Sequence, residues 1–435
     1  MPEQLGLRES ISIALGGMIG GGIYAVLGVV VQVSGALAWL AFALAGVVAA
    51  CAGYSYVKLN ELSDDDGGSP TYIETFADSS TLAGMAGWTL LFGYVGSMAM
   101  YAFAFGSYFT DIAGVSQVGG LPLRPVVSVF AIAGFVGLNA VGVEETGTVE
   151  VVLVVAKVAI LAGFVVLGLY AGFRRGQLRT GVSGLGVGPV MAAAVSFVAF
   201  QGWQLLMYDQ ATIRNSAATI RRSIYVAIPT AVAIYVGVAV VTTSLVNVGF
   251  VSAHPETALA VAARRFGGHL GYLVVSLSAL FSTASAINAT LFSTAQFSEG
   301  MISDGLLPDR FETGDGETPT RIVFVLGGLT AAFTAYGSLQ GITSFASLSF
   351  ILVFGGMSYL AFRQRDHEAV HPAVPAVGFV GTALFLPLML WHLYTAERGV
   401  LYSVLTVAVA VLAVELLYFE RETVEEGIRT VGKRV

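Results

Sequence analysis

The chain has 435 residues, 56% of them hydrophobic and 11% charged, with a mean hydropathy of +0.79. A water-soluble domain is about 25% charged, so much of this apolar surface must face lipid. The formal net charge of −7 and the lack of a basic stripe argue against nucleic-acid binding.

Apolar runs of about twenty residues, each long enough for about 30 Å of hydrocarbon, recur along the whole chain. They predict twelve spans near residues 10–33, 36–59, 84–113, 125–142, 149–172, 188–209, 224–247, 270–298, 321–337, 340–362, 374–393 and 399–419. The runs are too long for β-barrel strands, and lipid admits only closed backbone hydrogen bonding, so the fold class is all-α and polytopic. Met1 to Glu9 is polar and lacks the pattern of a cleavable signal. Linkers are short and rich in turn formers, as in Asp65-Asp66-Gly67-Gly68-Ser69-Pro70 and Thr313-Gly314-Asp315-Gly316. Residues 420–435 read as a charged, solvated helix. The single cysteine, Cys51, can form no internal disulfide. Only three lysines (Lys58, Lys157, Lys433) stand against eighteen arginines; this pattern suits a saline cytoplasm, and GC-rich codon usage would produce it equally.

An even number of spans puts both termini on one side. Placing them in the cytoplasm leaves thirteen Lys and Arg inside and seven outside, the orientation favoured by the positive-inside rule. The Arg174-Arg175…Arg179 group points the other way.

Two spans contain backbone that suits a helix poorly. The first reads Gly16-Gly17-Met18-Ile19-Gly20-Gly21-Gly22-Ile23-Tyr24, and each glycine costs about 1 kcal/mol relative to alanine in a helix. The sixth reads Ser196-Phe197-Val198-Ala199-Phe200-Gln201-Gly202-Trp203-Gln204, with two glutamines at membrane depth. Unwound backbone inside a bilayer has to line a cavity or be buried in protein. Its free N–H and C=O ends attract a carboxylate and an ammonium respectively. Interrupted helices in corresponding halves point to the substrate site of an inverted-repeat transporter. Close helix packing is the alternative use of such glycines.

Lys157 lies deep in the fifth span, about 13 Å from its cytoplasmic end. A cation there costs about 2.5–3.5 kcal/mol, and lysine, unlike arginine, can release its proton. It is a candidate proton carrier, or structural glue paired with carbonyls. The eighth span offers Ser278, Ser282, Thr283, Ser285, Asn288 and Thr290 as partners for it or as helix-packing residues.

These residues resemble the amino acid–polyamine–organocation (APC) transporter superfamily. Gly16-x-x-Ile19-Gly20-x-Gly22-Ile23-Tyr24 is similar to its first-helix motif. Gly67-Gly68-Ser69-Pro70-Thr71-Tyr72, then Gly84 and Gly87-Trp88, resembles its loop into the third helix. Asp304-Gly305-Leu306-Leu307-Pro308…Phe311, then Thr318-Pro319-Thr320, resembles its connection after the eighth helix. The resemblance covers roughly residues 5–420. It implies a 5+5 inverted-repeat (LeuT-like) core plus two C-terminal helices: residues 1–173 and 174–362 as the two repeats, 363–419 as helices 11 and 12, and 420–435 as a cytoplasmic tail. It also implies a solute carboxylate on the amides of Ile19, Gly20, Gly21 and Gly22, and an amino group on carbonyls of Val198, Ala199 and Gln201 beside Gly202. Trp203 matches a wall or gate, and Lys157 a fifth-helix lysine of proton-linked members, with Ser282, Thr283 and Ser285 opposite. The segment after the sixth helix departs from the pattern. Ala211-Thr212 replaces an acidic pair, Ser216 takes a proline position after Arg214-Asn215, and Gln204 stands where Asp is common.

The five histidines are scattered, and no Gly-x4-Gly-Lys-Ser/Thr occurs, so neither a metal site, a cofactor nor ATP-driven chemistry is expected. The expectation is not an enzyme but a secondary active transporter of amino acids or related organic amines in the plasma membrane. It would work by alternating access, with the proton as coupling ion. An amino acid/polyamine exchanger is the alternative, as is a channel or a non-transporting sensor on the same fold.

Overall fold

The computed structural model describes residues 4–63, 65–141, 147–181, 186–307 and 320–414. The expected tail helix at 420–435, the acidic Glu144-Glu145 and the whole of 308–319 lie outside them.

The elements are almost all helical, as apolar segments that must satisfy their own backbone require. In order they are α1 (Leu7–Ser34), α2 (Ala38–Leu62), α3 (Ser69–Ala77), α4 (Ser80–Ala113), α5 (Leu123–Ala140), α6 (Gly147–Arg174), α7 (Gly188–Val195), α8 (Ser216–Leu245), α9 (Val248–Ala253), α10 (Ala258–Ser303), α11 (Thr320–Tyr336), α12 (Leu339–Arg363), α13 (Ala373–Ala396) and α14 (Arg398–Val414). Side-chain caps fix several starts: the Leu82 amide donates to Ser79 Oγ before α4, and the Gly341 amide to Ser338 Oγ before α12. A two-residue hairpin, Gln117–Val118 with Leu121–Pro122, turns on Gly119 and Gly120, both at positive φ.

Within the described residues each expected span falls on a helix, the sixth on α7 and two short 3-10 turns; residues 415–419 of the twelfth lie outside them. Among the described residues eight stretches, one of them α1 and α2 run together, are long and apolar enough to cross a membrane; α11 and α14 are apolar but shorter. α10 extends beyond the expected 270–298 because its first turns belong to a second helix, joined at Gly268, where φ is 59°.

α4 and α12 are mostly buried, whereas α5, α6 and α13 are mostly exposed. Large apolar side chains such as Val155, Val166 and Phe173 on α6 and Phe130 on α5 point outward, as lipid-facing helices require. The centre of the bundle is therefore α1, α4, α12 and the segment after α7.

Helix pairing repeats at an offset of five spans. α2 packs on α8, α4 on α10, and α5 on α11; each is a pair five spans apart. Other contacts come in matched pairs: α1–α8 with α2–α7, α6–α8 with α2–α12, α4–α12 with α6–α10, and α1–α6 with α7–α12.

One expectation fails. α1 is one uninterrupted helix from Leu7 to Ser34, so no unwound stretch exposes the amides of Ile19, Gly20, Gly21 and Gly22 in this conformation. The glycines serve close approach instead. A Cβ on Gly17 would lie 2.7 Å from Gly202 Cα, one on Gly20 2.6 Å from Ala286 Cβ, and one on Gly22 3.0 Å from Ala199 Cα. Gly21 lies flat against the Tyr101 ring and Gly28 against the Pro255 backbone. Packing on three sides offsets the poor helix propensity of glycine.

Candidate functional site

The sixth span does break. α7 stops at Val195, a 3-10 turn covers Phe197–Phe200, and a second covers Trp203–Met207. Between them Gly202 has φ 123° and ψ −36°, a conformation that side chains rarely adopt. Residues 192–207 are all buried.

Backbone groups released by the break have to find partners, and side chains of α12, of α8 and of the break itself supply them. Ser347 of α12 donates from Oγ to Val195 O at 2.6 Å and accepts from the Val198 amide at 3.0 Å. The Tyr235 hydroxyl of α8 is shared between Met18 O at 2.6 Å and Ala199 O at 3.0 Å. It thereby ties α1 to the break. The Gly202 amide donates to Oε1 of Gln204 at 2.7 Å, so a side chain two residues on caps the amide.

The glutamines anchor a buried polar chain. Gln201 Nε2 donates to the Tyr101 hydroxyl at 2.6 Å, and Gln204 Nε2 donates to Gln201 Oε1 and to the Tyr94 hydroxyl, both at 3.2 Å. Tyr94 in turn shares a hydrogen bond of 2.7 Å with Tyr208. Trp203 packs edge-on against Tyr56 and beside Phe354, with centroids 5.0 and 5.1 Å away. Its buried indole N–H has no acceptor among the described residues.

Of the residues predicted to hold a solute, Val198, Ala199, Gln201, Gly202 and Trp203 therefore converge on one buried locus, and Gly22 of α1 touches it at Ala199. The Ala199 carbonyl is occupied by Tyr235, and Val198 O accepts the Gln201 amide at 3.2 Å. Tyr94, Tyr101, Tyr208, Tyr235 and Ser347 were not singled out from the sequence. The available signal was a hydroxyl at membrane depth within an apolar run.

Lys157 is buried on the flank of the bundle where α6 packs on α1 and α10. A cavity of about 260 Å³ opens there, lined by Leu153, Lys157, Val274, Ser278, Phe281 and Ser282 among others. Ser278 also shares a 2.7 Å hydrogen bond with Tyr24 of α1, which links this flank to the central helix. Ser282 lines the same cavity as Lys157. Thr283 spends its hydroxyl on Ala279 O at 2.7 Å within its own helix, and Ser285 does not line the cavity. Among the described residues no three His, Cys, Asp or Glu side chains converge as a metal site would.

α1 is fastened at both ends. On one side Leu5 donates to Thr212 O at 2.9 Å and accepts from the Arg214 amide at 3.0 Å, a parallel bridge. Gln210 Nε2 there reaches Gly67 O at 3.1 Å. On the other side the Pro255 turn lies on Gly28, and Gln32 Nε2 donates to Ser252 O at 2.7 Å.

Residues 5–414 match the family model described as amino acid permease. The chain belongs to that family. It is 26% identical over 416 residues to an uncharacterized protein of Methanocaldococcus jannaschii, covering 96% of this chain and 95% of the relative. It is 28% identical over 399 residues to the inner membrane transport protein YbaT of Escherichia coli, with 90% of each covered. A solved manganese transporter of Eremococcus coleocola, bound to an aromatic bis-isothiourea compound, superposes with a TM-score of 0.59 over 94% of each chain at 11% identity; that likeness concerns the fold. The permease is therefore a multi-pass membrane transporter of the APC superfamily, and not an enzyme.

Proposed function

We propose that this permease is a secondary active transporter of amino acids or related organic amines, alternating its access around the break at Phe197–Met207. One observation carries the reading: a fully buried interruption at Gly202, deep in a membrane segment, lies in backbone contact with the glycine face of α1. Broken helices at membrane depth are built where a polar solute has to be gripped. The Ala199 carbonyl, now held by Tyr235, receives the solute ammonium when that hydroxyl turns away. The carboxylate goes to the amides of Ile19–Gly22 once α1 opens at its glycines, where helix is cheapest to lose.

Pairing at an offset of five spans supports two inverted repeats, residues 1–173 and 174–362, with 363–419 added outside them. Excess Lys and Arg on the loops assigned to the cytoplasm supports termini on that side. Lys157, joined to α1 through Ser278 and Tyr24, exchanges the coupling proton. Gain or loss of its charge changes how α6, α1 and α10 pack.

The test is reconstitution. Purified protein in liposomes should show saturable uptake and counterflow of an amino acid first found by thermal-shift screening, since a ligand of the folded state raises apparent stability. Flux without saturation would make it a channel, and binding without flux a sensor; either overturns the proposal.

A further inference from the structure

We infer that the solute taken at this break carries no net charge on its side chain, and that Gln201 and Tyr101 are the groups that read that side chain. The inference rests on the reading of the break as an amino-acid site and adds the class of amino acid.

The distribution of charge is the first ground. Among the residues whose burial is described, no Asp or Glu is buried: each lies at a helix end, in a terminal turn or in a loop. Lys157 and His392 are the buried residues of basic type among them. Asp209, two residues past Met207, is half-buried, so a cationic side chain drawn into the break, whether of arginine, lysine or a polyamine, would lose its water with no fully buried carboxylate to face. An anionic side chain would need Lys157. That residue sits with Ser278 and Ser282 on the α6–α10 flank, whereas the break packs on α1, α2, α8 and α12.

The second ground is what does stand at the break. Gln201, Gln204, Tyr94, Tyr101 and Tyr208 form one buried chain of neutral groups, each able both to give and to accept a hydrogen bond. Gln201 is fully buried, and its carboxamide nitrogen is spent on Tyr101 at 2.6 Å. Tyr101 in turn lies on Gly21 of α1. An amide or hydroxyl side chain placed between this pair can accept from Gln201 and donate to Tyr101, so no buried polar group is left unmatched. A fixed charge cannot.

The experiment is a thermal-shift panel on the purified permease, with neutral amino acids (glutamine, asparagine, serine, alanine, leucine), cations (arginine, lysine, putrescine) and acids (aspartate, glutamate). Neutral amino acids should stabilise the protein, and charged ones should need about a hundredfold more ligand for the same shift. In Gln201→Glu, which places a carboxylate at the break, arginine or lysine should gain at least about tenfold relative to the best neutral ligand. Arginine, lysine, putrescine or glutamate acting within about tenfold of the best neutral amino acid on the native chain would overturn the charge selection and leave the amino-acid site standing. Stabilisation by none of the panel would refute the amino-acid site itself, and this inference with it.

Discussion

Replacing Gly202 by alanine tests the contact on which the site is built. The substitution meets two penalties. At φ 123° an alanine is strained, at roughly 1–3 kcal/mol for such a backbone. Its Cβ would also lie 2.5 Å from the carbonyl carbon of Gly17 and 2.6 Å from its Cα. Those atoms belong to the backbone of α1 and cannot swing aside, so relief means shifting a helix, at about 1–3 kcal/mol for an overpacked core. Together the loss is about 2–6 kcal/mol, a large share of a typical 5–15 kcal/mol stability. The assay is the temperature at which half the detergent-solubilised protein still elutes as a single species, compared with Gly328→Ala in α11. A Cβ on Gly328 meets nothing within 4 Å, and alanine there should leave the chain unchanged or up to about 1 kcal/mol more stable. If Gly202→Ala proves as robust as Gly328→Ala, the backbone contact between α1 and the break is wrong.

Three further outcomes are expected. Tyr235→Phe removes the hydroxyl shared by Met18 O and Ala199 O; it should weaken the closed form by about 1 kcal/mol and tighten solute binding about fivefold in titrations, whereas weaker binding would mean that Tyr235 holds the solute itself. Lys157→Gln should abolish the pH dependence of uptake in liposomes while leaving the chromatographic profile intact; undiminished proton-driven uptake would remove Lys157 from the coupling step. Burial, with the nearby Asp304 carboxylate adding to it, holds the Glu74 carboxyl above its ordinary value, so folding favours the protonated form and stability falls as pH rises from the ordinary carboxylate range through the raised value. Glu74→Gln should therefore stabilise the chain at neutral pH and make no difference well below about pH 4; a stabilisation independent of pH would refute the cause.

Much of the architecture was legible because lipid leaves a hydrophobic segment few options. Run length alone located the spans, and Gly202 between two glutamines located the break. The first helix was misread for an instructive reason. Glycine propensity counts what the isolated helix loses, and it is silent about what neighbours gain by approaching. Tyr101, Ala286, Ala199 and the Pro255 turn supply that gain across 80 to 266 residues of sequence. The tyrosines of the polar chain were hidden for a related cause. In α4 and α8 tyrosines fall within apolar runs where each reads as one more aromatic, and only the fold brings the hydroxyls of Tyr94 and Tyr101 to the break's glutamines and that of Tyr235 to the Ala199 carbonyl.

The bridge between Leu5 and Ile213 bears on how the chain is made. Its two halves are separated by more than two hundred residues, so the start of α1 cannot be fastened until about half the polypeptide has left the ribosome. Until then the first helix sits in the bilayer with a loose leading end and a glycine face still uncovered. The insertion machinery, or lipid itself, must shield that face while five later helices are threaded in. An early stall in synthesis should thus be more damaging than a late one, because the strand that closes the knot has yet to arrive.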